Sequence, residues 1–103
     1  MAEFSENVWE IVRTVPKGKV TTYKEVAERI GAGSPRSVGQ ALKRNTLPVI
    51  VPCHRVVMSD GRIGGYYGGE KRKIMEKARL LESEGVKIRN CRVDLKEHMH
   101  RPD

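Results

Sequence analysis

No apolar run in this 103-residue chain approaches membrane-spanning length, and the N-terminus carries neither the basic nor the apolar block of a secretion signal. We therefore expect a soluble protein without membrane partners, acting inside the cell, in the cytoplasm. Cysteine is scarce as well. Cys53 and Cys91 lie far apart, and with three histidines they match no zinc spacing, which argues against a structural metal and for reduced thiols. Acidic residues are in deficit, 13 against 20 lysines and arginines, so the net charge is +7 and the pI near 9.7. That balance suggests a polyanionic partner, although basic proteins without one exist. The length allows one domain with a modest core and leaves no room for a second.

Hydrophobic periodicity predicts mostly helix. Phe4, Val8, Ile11, Val12 and Val15 recur at helical spacing, with Ser5 placed to cap the run and Pro16 to end it. Trp9 lies partly off that stripe and reads as a packing residue. A basic turn, Pro16-Lys17-Gly18-Lys19, leads to Thr22, which with Glu25 forms a capping-box pattern ahead of Val26, Ala27 and Ile30. Gly31-Ala32-Gly33 stops this second helix. Ser34-Pro35 starts a third, running through Arg36, Val38, Gly39, Ala41 and Leu42 to about Arg44. Two short helices around a glycine turn, the second one basic, outline a helix-turn-helix. Gly39 in mid-helix costs roughly 1 kcal/mol relative to alanine. A small residue there lets the helix approach a narrow groove or another helix equally well.

The stretch with the most chemical content is Pro52-Cys53-His54-Arg55-Val56, preceded by Pro48-Val49-Ile50-Val51. Prolines at both ends of the apolar run forbid a helix, so it should be extended, largely buried, and should hold Cys53 at a fixed place. A lone cysteine in an apolar segment is more often a core residue than a nucleophile. His54 beside it supplies a base, directly or through water. Beyond, Arg55 to Met58, a Ser59-Asp60-Gly61 turn and Arg62 to Gly64 predict a short hairpin, and Gly64-Gly65-Tyr66-Tyr67-Gly68-Gly69 a flexible loop. A last helix should begin near Glu70, present Ile74, Ala78 and Leu81 on one face, and stop at Gly85. The expected fold is mainly α with a small β hairpin, a winged helix-turn-helix-like single domain over 1–88, followed by a partly disordered tail over 89–103.

With those residues in view, the chain resembles the O6-alkylguanine-DNA alkyltransferases from about Phe4 to Gly85. The resemblance rests on Pro52-Cys53-His54-Arg55-Val56, Gly18-Lys19-Val20-Thr21-Thr22-Tyr23, Arg36-Ser37-Val38-Gly39-Gln40-Ala41-Leu42, Asn45 with Pro48, Gly64-Gly65-Tyr66 and Glu84-Gly85, all in the family's order. It implies DNA repair by stoichiometric transfer of an alkyl group from O6-alkylguanine in double-stranded DNA to Cys53. His54 linked to Glu84 would relay the proton, and Asn45 would brace the loop carrying the nucleophile. The third helix would enter the minor groove with Gly39, Ala41 and Leu42, and Arg36 would fill the gap left by the flipped nucleotide. Tyr23 would crowd the 3' phosphate and offer its hydroxyl to the base, while Val56, Gly64, Tyr66 and Tyr67 would line the base site. Arg55 is expected to serve structure. The resemblance also implies a monomer, and thiolate displacement at saturated carbon requires no metal or cofactor.

The chain departs from the family pattern in four places. These 103 residues carry no counterpart of the family's N-terminal domain, Tyr67 stands where serine is usual, the last helix is expected to be about one turn longer, and the tail beyond Val86 has no placed counterpart. Alkyltransferase-like proteins, which bind O6-alkylguanine DNA without transferring the alkyl group, are also short and resemble this chain after the active-site loop. They carry tryptophan or alanine where this chain has Cys53. A lesion-binding sensor that recruits other repair is therefore the alternative, and a winged-helix regulator a further one that needs neither Cys53-His54 nor Arg36.

Overall fold

The protein is described by a computed structural model over residues 2–31, 33–44, 52–63 and 71–100. Three helices open the chain: α1 (Ala2–Arg13), α2 (Tyr23–Ile30), preceded by the short strand β1 (Thr21–Thr22), and α3 (Pro35–Lys43). A 3-10 turn at Cys53–Arg55 leads into β2 (Val56–Val57), then α4 (Lys71–Ser83), β3 (Ile88–Arg89), β4 (Arg92–Val93) and α5 (Leu95–His98). The architecture is mainly α with two small strand pairs. Among the described residues no helix is long and apolar enough to cross a membrane.

The caps behave largely as their residue types dictate. Thr22 accepts from the Glu25 amide at 3.0 Å, and Ser34 and Ser37 cap each other reciprocally with Pro35 at the first helical position. Gly31 ends α2 in the left-handed conformation. Ser5 does not cap α1. The helix starts at Ala2, and Ser5 is buried within its first turns.

Two apolar clusters make the core. Val8, Val12, Tyr23, Val26, Val38, Ala41, Leu42 and Val56 join the first three helices. Val20, Val57, Ile63, Leu81, Val86 and Val93 join α4 to the C-terminal segment. Successive strand residues point to opposite faces, so Val56 enters one cluster and Val57 the other, and β2 is the partition between them.

This partition corrects the predicted hairpin. β2 pairs in parallel with β1, Thr21 opposite Val56 and Thr22 opposite Val57. A wing hairpin would leave one face wet, whereas both valines are fully buried, the situation of a parallel strand covered on both sides. The expected turn does form, closed by the Met58 amide on the Arg62 carbonyl at 2.9 Å, but Arg62 bridges Arg92 instead. Gly64 lies outside the described residues.

The stretch from 89, expected as a tail, is also folded as far as residue 100. Asn90 and Cys91 both have positive φ, the geometry of a two-residue hairpin turn between β3 and β4. Val93 buries in the second cluster, and the Val93 amide donates to the Gly61 carbonyl at 2.9 Å. His98 is buried with both ring nitrogens engaged: Nε2 accepts from the Lys87 amide at 3.2 Å, which leaves Nδ1 to donate to the Gly18 carbonyl at 3.1 Å. Strands of two residues carry too little periodicity to be seen in sequence. The last three residues, 101–103, lie outside the description.

Candidate active site and nucleic-acid interface

Cys53 opens the 3-10 turn, held by the Arg55 amide on the Pro52 carbonyl at 2.9 Å and the Val56 amide on the Cys53 carbonyl. Pro52 is buried and lacks an amide to donate, so the turn begins there. Cys53 is only partly buried and packs against the first cluster.

The two residues after Cys53 converge on Glu84. Arg55 makes a bidentate pair with it, Nε to Oε1 at 2.9 Å and Nη2 to Oε2 at 2.6 Å, and its Nη1 donates to the Val15 carbonyl at 2.9 Å. His54 Nε2 lies 3.0 Å from Glu84 Oε2, close enough for strong electrostatic coupling, although the ring is out of line for a hydrogen bond. All three side chains are mostly buried. The Arg55 hydrogen bonds hold the Glu84 carboxyl below the ordinary carboxylate range, against the opposing effect of burial, and His54 adds to the lowering. Glu84 is therefore a fixed anion beside the His54 ring, held there by Arg55.

Local backbone geometry puts Glu84 there. Gly85, with φ of +91°, turns the chain out of α4, and the Val86 amide returns to the Leu81 carbonyl at 3.0 Å, with both side chains in one cluster. Gly18 approaches from the other side. A Cβ there would stand 3.3 Å from the Glu84 carbonyl oxygen. Glu84 lies within reach of both His54 and Arg55.

Lys77 escaped the sequence reading. Its Nζ donates to the Val56 carbonyl at 2.6 Å, lies 3.5 Å from the Tyr23 hydroxyl, and sits 5.6 Å from the centre of the Tyr23 ring. Burial of the ammonium pushes its pKa down to about 8, while the charge of Cys53 acts in the opposite direction. A signal existed, because Ile74, Lys77, Ala78 and Leu81 share the inward stripe of α4, where lysine is out of place. The sign of the pH effect follows. A folded value below the ordinary 10.5 means that the folded state resists carrying this cation, a penalty complete below about 8 and relieved toward 10.5. Wild-type protein should gain stability relative to Lys77→Met over that interval in urea unfolding, by less than the ~1.4 kcal/mol per pH unit that one proton allows.

The predicted DNA-contacting residues divide. Arg36 is exposed on α3, as are Gln40, Lys43 and Arg44, which continue the same helical face at positions four, seven and eight residues on. Gly39, Ala41, Leu42 and Val56 are buried, and the last three belong to the first cluster. Their side chains serve packing, since the opposite face of α3 is the one turned outward. Gly39 thus fits the helix-packing explanation. Tyr23 is fully buried too, its hydroxyl facing Lys77 and not the outer surface. Trp9 packs as expected, donating to the Ala41 carbonyl at 3.0 Å. Asn45, Gly64, Tyr66 and Tyr67 lie outside the described residues. Among the described residues no cluster of three or more His, Cys, Asp or Glu could hold a metal.

Residues 3–86 match the family of the 6-O-methylguanine DNA methyltransferase, DNA binding domain. A methylated-DNA–protein-cysteine methyltransferase of Methanothermobacter thermautotrophicus is 51% identical over 86 residues, which cover 84% of this chain and 46% of the relative. The chain thus spans about half the length of the curated relatives it matches. S. pombe Atl1, solved with damaged DNA containing O6-carboxymethylguanine, superposes with a TM-score of 0.87 at 35% identity over 99% of this chain and 98% of that one. Mycobacterium tuberculosis OGT in complex with DNA superposes at 0.69 and 43% identity, covering 80% of this chain and 49% of OGT.

Proposed function

Since the chain belongs to the 6-O-methylguanine DNA methyltransferase family, we propose that it repairs DNA by taking the alkyl group of O6-alkylguanine onto Cys53. The observation that carries this reading is the partly buried Cys53 next to a histidine that lies 3.0 Å from a clamped, ionised Glu84. In the reaction the thiol proton leaves through His54, the sulfur attacks the alkyl carbon, an S–C bond forms and the C–O6 bond breaks. The bonding pair goes to the guanine oxygen, and the base takes up a proton as it reverts to the keto form. Glu84 favours the transient imidazolium. Lys77, near both Cys53 and Tyr23, stabilises developing thiolate and keeps the Tyr23 hydroxyl directed inward. The thioether is permanent, so each molecule acts once.

A paired, stacked guanine cannot present its O6 substituent to a protein sulfur in line, so the nucleotide must leave the duplex. The exposed α3 face, with Arg36 leading, is the surface suited to enter the minor groove and to hold the gap open. Asn45 braces the nucleophile's loop, and Gly64, Tyr66 and Tyr67 close over the base. The protein works as a monomer on DNA in the cytoplasm.

Atl1 is matched over nearly its whole length, but the curated relatives are named as methyltransferases, so a protein that binds the lesion and leaves it in place is the secondary reading. Mass spectrometry separates the two. After incubation with a duplex containing O6-methylguanine, the peptide bearing Cys53 should gain one methyl group, and the DNA should lose one. Stable lesion binding with an unmodified peptide would replace the transfer reading by the sensor.

A further inference from the structure

The C-terminal hairpin carries an arrangement that the lesion chemistry does not use. Arg89 on β3 stands directly opposite Arg92 on β4, and Arg92 bridges Arg62 on its other side. Three arginines therefore lie side by side on neighbouring strands, separated by the roughly 5 Å of a sheet. All three are exposed. Like charges directly opposite on a sheet destabilise it, so folding alone gives no reason for the row.

Nearby acids offset the row only in part, since Asp60 pairs with Arg62 and also feels the charge of Arg92. Asp60 is engaged by Arg62 at 2.8 Å, Glu97 faces Lys87 at 3.6 Å, and Asp94 caps α5 through the Lys96 amide. Arg89 and Arg92 have no ion-pair partner within bonding distance among the described residues. Beside them opens a polar hollow of about 760 Å³ lined by Lys87, Arg89, Asn90 and Arg92 and, on its other wall, by the carboxylates Asp94 and Glu97. The turn that ends on Arg62 adjoins the helix-turn-helix. Ser59, at the start of the turn that ends on Arg62, shares a groove with Thr22, Lys24 and Glu28. In a helix-turn-helix the first helix is the one that crosses the sugar–phosphate backbone.

We propose that Arg62, Arg89 and Arg92 form a second phosphate-binding strip, gripping the DNA backbone to one side of the site read by α3. The proposal rests on the DNA-binding reading above. It concerns residues mostly beyond the family match, which ends at 86. Guanidinium groups suit the task because each offers a planar fork to phosphate oxygens.

The test is the salt dependence of binding by R89Q/R92Q, which leaves the Arg62–Asp60 pair in place. Each lost phosphate contact should reduce the slope of log affinity against log salt by about 0.9, so the double variant should fall short of wild type by nearly 2. Affinity for lesion duplex should drop about tenfold or more at low salt, with the single-turnover transfer rate at saturating DNA unchanged. The variant should melt no lower than wild type, because it loses repulsion. An unchanged slope in a folded variant overturns the strip, and so does wild-type binding to polyglutamate that R89Q/R92Q lacks, which would assign the row to an acidic protein. If wild-type protein neither binds nor repairs the lesion duplex, the DNA reading itself fails, and that outcome is separate from the variant comparison.

Discussion

Cys53→Ala abolishes alkyl transfer while leaving affinity for lesion DNA nearly intact; this is the expected result of replacing the thiol next in sequence to His54. The other thiol, Cys91, sits in the turn of the C-terminal hairpin, within a different part of the fold. It has no histidine neighbour in sequence and should stay unmodified. Because Cys53 is only partly buried, the truncation should cost on the order of 1 kcal/mol, too little to unfold the domain. Peptide mass spectrometry after exposure to O6-methylguanine duplex gives the transfer, and a gel-shift titration the affinity. Residual methylation of Cys53→Ala at any residue, or collapse of binding, would show that another group is the acceptor or that the cysteine's role is packing.

Glu84→Ala should be the most destabilising single change at the site. It strips a largely buried guanidinium of both its carboxylate bonds and leaves His54 without its anion. Removing one partner of a buried pair typically costs about 3–5 kcal/mol, because the remaining charge is uncompensated. Glu84→Gln should lose less, since one acceptor oxygen is retained. The pH dependence has a definite sign. Glu84's folded pKa lies below the ordinary 4.5, so its contribution is fully present above that value and disappears as pH falls toward the folded value. Urea unfolding of wild type should therefore weaken below about pH 4.5, and Glu84→Ala should show a flatter acid limb. Equal acid sensitivity in the two proteins would mean that other carboxylates govern the transition.

The helices and their caps were legible because each has a local cause: Ser34-Pro35 at one start, Gly31 at one end, and apolar residues at helical spacing throughout. Cys53, His54 and Glu84 were legible as a set only through resemblance, since 29 residues separate Arg55 from the carboxylate it binds. The β pairing was misread because strands of two residues have almost no pattern of their own. The parallel pairing of β1 with β2, and the isolated bridges of Val20 with Met99 and Arg62 with Arg92, join segments far apart in sequence and are chosen by how the finished fold packs. Ala41, Leu42 and Val56 were assigned to DNA by position in a motif, while the same apolar character that the motif carries takes them into the core. Lys77 was visible as an irregularity on an apolar stripe and was passed over.

The folded C-terminal segment has a practical meaning for anyone excising this domain. A chain trimmed where the family similarity stops, at residue 86, would strip the second cluster of Val93 and remove His98 from the Gly18 carbonyl. Val20 would lose both backbone bonds that it makes to His98 and His100. Leu81 and Ile63 would then meet water, and Glu84 would be held from a softened base. The block that defines the family and the block that folds here are different lengths of polypeptide.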